Sequence, residues 1–191
     1  MQAYLAPSKN INWDDPDVWS LAMALGAAEG AAAVAKRCFE WVRDEVRHSA
    51  DHGDQVVTCT ASEVLRERTG LCYAKSHLLA ALLRANGIPA GLGYQRLSLD
   101  DVGSRFCLHG FAVVSLPGVG WYRADARGNR PGVTTEFDPP REALAFETRI
   151  VGEQTFTDVW PEPLPVVVDA LRRTAKLQEA LNQLPDWDGA Q

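Results

Sequence analysis

Thr69-Gly70-Leu71-Cys72-Tyr73-Ala74-Lys75-Ser76-His77-Leu78-Leu79-Ala80-Ala81-Leu82-Leu83-Arg84-Ala85-Asn86-Gly87-Ile88-Pro89-Ala90 is the stretch on which the reading of this sequence turns. A Gly-Leu-Cys step opens an apolar run that stops at Asn86-Gly87, with a proline soon after, and these are the stop signals of a helix. Cys72 is therefore predicted on the first helical turn. There the first N–H groups have no intrahelical acceptor and the dipole adds partial positive charge, so a thiolate is favoured. Leu71, Ala74, Leu78, Leu82 and Ala85 form one apolar stripe. Leu79 and Leu83 form a second in line with Cys72 and Ser76, which predicts a helix buried on more than one side. Such a helix is a rigid mount for a reactive group, although a core cysteine without chemistry gives the same local pattern.

The rest of the composition narrows the class. A chain of 191 residues with 46% hydrophobic and 23% charged residues is predicted to form one globular domain. Its formal charge of -6 and scattered basic residues argue against nucleic acid as a partner. The four cysteines, Cys38, Cys59, Cys72 and Cys107, contain no Cys-x-x-Cys pair and fit neither a zinc ribbon nor a disulfide framework, so reduced thiols in a cytoplasmic protein are expected. Met1 to Pro7 carries no positive charge on its side chains, and the run from Val18 to Ala35 is broken by Glu29 and glycines, so neither a signal peptide nor a membrane partner is expected.

Upstream of Cys72 the pattern is helical. Asp15-Pro16 predicts a helix over 16–28 with Asp15 as N-cap, which also accounts for Asp14 and Asp17 without a cation. Val34, Cys38, Trp41, Val42 and Val46 predict an amphipathic helix from Ala31 to about Arg47. His48 and His52 follow at its end and read as a fraying, solvated terminus rather than a metal pair. Thr60 and Glu63 have the spacing of a capping box, predicting a short helix over 61–68.

Downstream the period changes to two. Strands are predicted from Gly91 to Leu99, Phe106 to Leu116 and Val119 to Asp125, with a polar loop at Asp100 to Ser104 and a hairpin turn at Pro117-Gly118. Val133 to Phe137 and Phe146 to Val151 are weaker strand candidates. After a proline-rich connector, Val166 to about Leu184 reads as one C-terminal helix. A turn centred on Pro117 sets His109 opposite Asp125 on one face, with Cβ atoms about 4.5 to 5.5 Å apart. A slip of one residue separates them. His109 thus supplies a base and Asp125 a group to orient it, which a helix-borne thiol needs.

Four pieces together resemble the transglutaminase-like superfamily: Thr-Gly-Leu-Cys-Tyr-Ala-Lys (69–75), Leu-Leu-Arg-Ala-Asn-Gly-Ile-Pro-Ala (82–90), Leu-His-Gly-Phe-Ala-Val-Val (108–114) and Gly-Trp-Tyr-Arg-Ala-Asp-Ala (120–126). The resemblance covers about residues 31 to 130. It implies an α+β, cysteine-proteinase-like fold: N-terminal helices, including the buried nucleophile helix, packed on an antiparallel sheet; 161–191, beyond the resemblance, reads from its own pattern as a C-terminal helical extension. It implies Cys72 as nucleophile, His109 as general base and acid, and Asp125 as orienting group. Trp121 would pack beside the triad, and Trp121, Gln95 and Tyr73 are candidate pocket residues. Gln95 is also a candidate oxyanion donor, against the alternative of a sheet glutamine on a solvated face. His109-Gly110-Phe111 departs from the family's His-Ala-Trp-like run, which bears on the adjacent pocket.

The function expected is acyl transfer on an amide or peptide substrate through a Cys72 thioester, hydrolysis being favoured over cross-linking. No cofactor and no metal are expected. His77 is predicted to lie off the thiol's face, and Lys75 at the surface. A non-catalytic peptide- or protein-binding domain of the same fold is the alternative, which the three residues Cys72, His109 and Asp125 argue against.

Overall fold

The computed structural model describes residues 1–100 and 102–189; Asp101, within the expected loop, and residues 190–191 lie outside the described residues. Helix α1 (Pro16–Leu25) starts as its sequence dictates, the Asp15 carboxylate accepting from the N–H groups of Asp17 and Val18. Helix α2 (Ala31–Glu45) follows and buries Val34, Cys38, Phe39 and Val42. Instead of fraying, the chain then forms a two-residue strand β1 (Arg47–His48) and a single turn α3 (Ser49–His52). Helix α4 (Ala61–Glu67) opens with the complete capping box of Thr60 and Glu63. It leads into β2 (Thr69–Gly70), which pairs in parallel with β1 so that His48 lies opposite Gly70.

Helix α5 (Cys72–Ala85) begins at the cysteine, and every one of its residues is buried. It packs against α1, α2 and α4 and against the next two strands, so no side of it faces water. Burial on all sides requires its polar groups to find partners inside. Arg84 donates to the carbonyls of Ala90, Ala6 and Pro161, tying the start and the end of the chain to the helix. Lys75 is buried as well, against the surface position expected. Its Nζ donates to the carbonyls of Val46 and Arg43, which the end of α2 leaves without intrahelical donors. Helix α5 closes at Asn86, and Gly87 takes the left-handed turn (φ 71°) that follows.

Strands β3 (Ala90–Ser98), β4 (Phe106–Leu116) and β5 (Gly120–Ala124) form an antiparallel sheet, ordered β5-β4-β3 and extended at the β3 edge by β8 (Gln154–Thr155). A small hairpin, β6 (Glu136–Asp138) and β7 (Arg141–Ala143), lies between. The strand expected from Phe146 to Val151 is absent; its backbone is turned by Glu153, whose carboxylate accepts from the N–H groups of Arg149 and Ile150. The single C-terminal helix expected is two helices, α6 (Pro165–Arg173) and α7 (Leu177–Asn182). The break lies at Thr174, which is extended, and is fixed by a bridge between Lys176 and Val56 and by the Leu177 N–H on the Gln55 carbonyl.

The β4–β5 register differs from the one expected. Leu116 pairs with Gly120 and Ala112 with Ala124, so the turn is centred on Gly118 and pairing is shifted by two residues. An even shift preserves the face of every side chain. His109 and Asp125 therefore remain on one side of the sheet, as diagonal rather than direct neighbours.

Candidate active site

The chain places three side chains together from three elements. Cys72 is delivered by α5 as its first residue. His109 comes from the middle of β4, and Asp125 stands immediately after β5. His109 Nε2 lies 2.7 Å from Asp125 Oδ2, with both side chains almost wholly buried. With Nε2 engaged by Asp125, Nδ1 is the nitrogen left for the Cys72 thiol, with which His109 also interacts. Burial alone would lower the pKa of the imidazole; the Asp125 carboxylate and Cys72 outweigh it and raise the pKa to about 10. For Asp125 burial works upward, but the charge and hydrogen bond of His109, with the N–H groups of Ala145 and Arg127, hold the carboxyl below its usual range. His109 is thus an imidazolium at neutral pH, fixed in orientation by a carboxylate that stays ionised.

The segment after β7 closes over this pair. The Ala145 N–H donates to Asp125 Oδ2 at 2.9 Å, and the Phe146 ring meets His109 edge-on at 5.1 Å between centroids. Gln95 sits directly across β3–β4 from His109 and is buried, not solvated. It is covered because the segment around Phe146 lies over this face and β8 pairs along the β3 edge beside it. Its Nε2 donates to the Phe146 carbonyl and to Thr155 Oγ1, so in this arrangement it holds the covering segment and is not aimed at the thiol.

Tyr73 lines the cleft but gives its hydroxyl to the Leu108 carbonyl. Its ring explains the His109-Gly110-Phe111 departure: a Cβ at Gly110 would lie 3.0 Å from Tyr73 Cδ1 and 3.4 Å from Tyr94 Cε1. Trp121 does not reach the site. It lies near the hairpin turn, 39% exposed, with its ring 4.9 Å from Tyr4, and four residues of extended strand, about 13 Å, separate it from Asp125. His77 is fully buried, donates Nδ1–H to the Cys59 carbonyl and is kept neutral by burial, its pKa lowered to about 4.

Residues that the sequence reading did not place at the site also line the cleft. His48, held beside Gly70 by the β1–β2 pairing, shares the cleft with Cys72 and His109. Burial, then the charge of Arg127, pushes its pKa down to about 3, so it stands there neutral. Arg127 makes a two-point pair with Asp51 at 2.7 and 2.9 Å. Leu181 and Leu184 arrive from α7 and the turn after it. The one local hint was the i,i+4 spacing of His48 and His52; the contacts themselves span most of the chain. Among the described residues no cluster of His, Cys, Asp and Glu suited to a metal is present, and no helix is long and apolar enough to cross a membrane.

A family model described as the transglutaminase-like superfamily matches residues 20–126, more than half of the chain. The chain belongs to the transglutaminase-like superfamily. Among solved structures it is similar to a protein of Cytophaga hutchinsonii assigned as a cysteine protease, at 24% identity and a TM-score of 0.53, over 65% of this chain and 40% of that one. It is also similar to the periplasmic domain of TgpA from Pseudomonas aeruginosa, at 23% identity and a TM-score of 0.46, over 65% of this chain and 45% of that one. The chain therefore spans less than half the length of these solved proteins. A search of the curated proteins found no match. The superfamily assignment and the first likeness agree on the fold, a nucleophile helix packed on an antiparallel sheet, which is that of a family of thiol-dependent enzymes.

Proposed function

We propose that this protein transfers acyl groups from amide or peptide substrates through a thioester on Cys72, with water as the usual acceptor. The observation that carries the reading is the Cys72–His109–Asp125 arrangement, with His109 Nε2 2.7 Å from a buried carboxylate and the thiol at the start of α5. In the first step the Cys72 thiolate attacks the substrate carbonyl carbon, forming a C–S bond and a tetrahedral oxyanion. The backbone N–H of Cys72, unpaired at the helix start, is the natural donor to that oxygen. Collapse breaks the C–N bond as His109 gives its proton to the departing amine. Water then attacks the thioester, neutral His109 takes its proton, and the acid leaves as the C–S bond breaks. An amine in place of water gives transamidation. Asp125 holds the ring and offsets its charge throughout.

The test is turnover of peptide amides by the wild-type protein, with and without an added primary amine. Release of amine in both conditions is the expected result, and Cys72→Ala abolishes it. Product formation only with the added amine would reassign the chain to transamidation, and no release in either would remove the catalytic reading.

A further inference from the structure

The cleft in front of Cys72 encloses about 330 Å³, the low end of ligand-site sizes. Away from the triad its walls are largely aliphatic: Leu97 and Leu99 from β3 and the residue just beyond it, and Leu181 and Leu184 from α7 and its following turn. Leu97 is buried and Leu99, at the mouth, is 46% exposed. The cations around this apolar space are already engaged by carboxylates outside it. Arg127 is matched by Asp51, and the His109 imidazolium by Asp125. Glu147 and Glu153 add two carboxylates; Glu153 is held ionised by the N–H groups of Arg149, Ser98 and Ile150, and Glu147 is paired only with the exposed Arg149.

We propose that the cleft selects a substrate residue with a leucine-sized aliphatic side chain next to the scissile amide and rejects an acidic one, and that α7, outside the family-matched region, forms the selecting wall. This rests on the proposed acyl transfer at Cys72. A glutamine side chain would leave its amide facing Leu97, Leu99, Leu181 and Leu184 with no hydrogen-bonding partner among them, a cost that an aliphatic side chain avoids. An aspartate would meet that cost and the repulsion of Glu147 and Glu153 together.

The test uses acetyl-Ala-Ala-X acyloxymethyl ketones with X as Leu, Gln or Asp, reading the rate of Cys72 modification by intact mass. Modification involves attack by the thiolate on the ketone's methylene carbon, with loss of the carboxylate. The expected order is Leu over Gln by at least about tenfold, with Asp slowest. In Leu181→Lys the ratio of Leu to Asp rates falls by about tenfold or more. Leu99→Lys, at a half-exposed position that the core does not need, shifts the ratio in the same direction and serves where Leu181→Lys does not fold. Equal rates for the three probes, or unchanged ratios in a folded variant, would overturn the inference. Iodoacetamide separates the two failures: wild-type Cys72 that alkylates but does not discriminate sinks the selecting wall alone, whereas Cys72 inert to iodoacetamide and to every ketone sinks acyl transfer itself.

Discussion

At the scale of single residues, the site is a matter of charge placed where water is not. Cys72, His109 and Asp125 were legible because each announces itself locally: a thiol after Gly-Leu, a histidine inside a strand, an aspartate ending the next. His48 and Arg127 were not. The first enters the cleft through a parallel pairing with Gly70, and the second is set by Asp51, 76 residues away. Lys75 and Gln95 were misplaced for a similar reason. Each has the composition of a surface residue and is buried because a distant carbonyl accepts from it. The carboxylate of Asp125 holds the imidazole through Nε2, so Asp125→Asn removes the charge that keeps His109 protonated and replaces one accepting oxygen with an N–H donor. Turnover is expected to fall by about 10³ to 10⁴-fold. The same substitution brings the pKa of His109 down from about 10, visible as a moved ring-proton titration by NMR. An unmoved titration would show that Asp125 does not govern the base.

At the scale of elements, the helix–strand contact decides how closely the thiol and the imidazole meet. Residues with strong local signals fixed the elements: the Asp15 N-cap, the Thr60–Glu63 box and the alternation through β3 to β5. Positions set by contact with remote chain escaped, as with the split of α6 from α7 at Thr174 and the covering segment around Phe146. The hairpin shows the difference well. Its face was readable from alternation, but its register was off by two, since only the turn geometry distinguishes Pro117 from Gly118 as the centre. Gly110 on β4 lies close against Tyr73 at the start of α5. Gly110→Ala pushes a methyl against Tyr73 and is expected to destabilise the fold by about 1–3 kcal/mol, measured as a shift in the urea midpoint. Activity should fall further than stability explains, because the same push separates His109 from Cys72.

At the scale of the whole molecule, buried titratable groups make stability depend on pH. His77 is neutral in the folded protein with a pKa of about 4 against 6.5 for a free imidazole, and His48 lies lower still at about 3. Between those values the unfolded chain binds more protons, so stability is complete above pH 6.5 and is lost as pH falls. For His77 the loss is roughly 3 kcal/mol. His77→Gln should flatten the slope of unfolding free energy between pH 4 and 6.5 by about one proton; an unchanged slope would place the acid sensitivity elsewhere. On the alkaline side two groups oppose each other. His109, raised to about 10, loses its contribution as pH climbs from 6.5 through 10, while Lys75, lowered to about 7, gains one between 7 and 10.5. The central claim concerns one thiol among four. Burial pushes Cys38 and Cys107 up to about 12 and raises Cys59, whereas Cys72 lies at a helix start beside an imidazolium and opens into the cleft. The direct measurement is the rate of iodoacetamide modification at each cysteine of the folded protein at pH 7, followed by peptide mass spectrometry. Cys72 should react at least about a hundredfold faster than the others, and His109→Ala should slow it severely; similar rates at all four thiols would contradict the account.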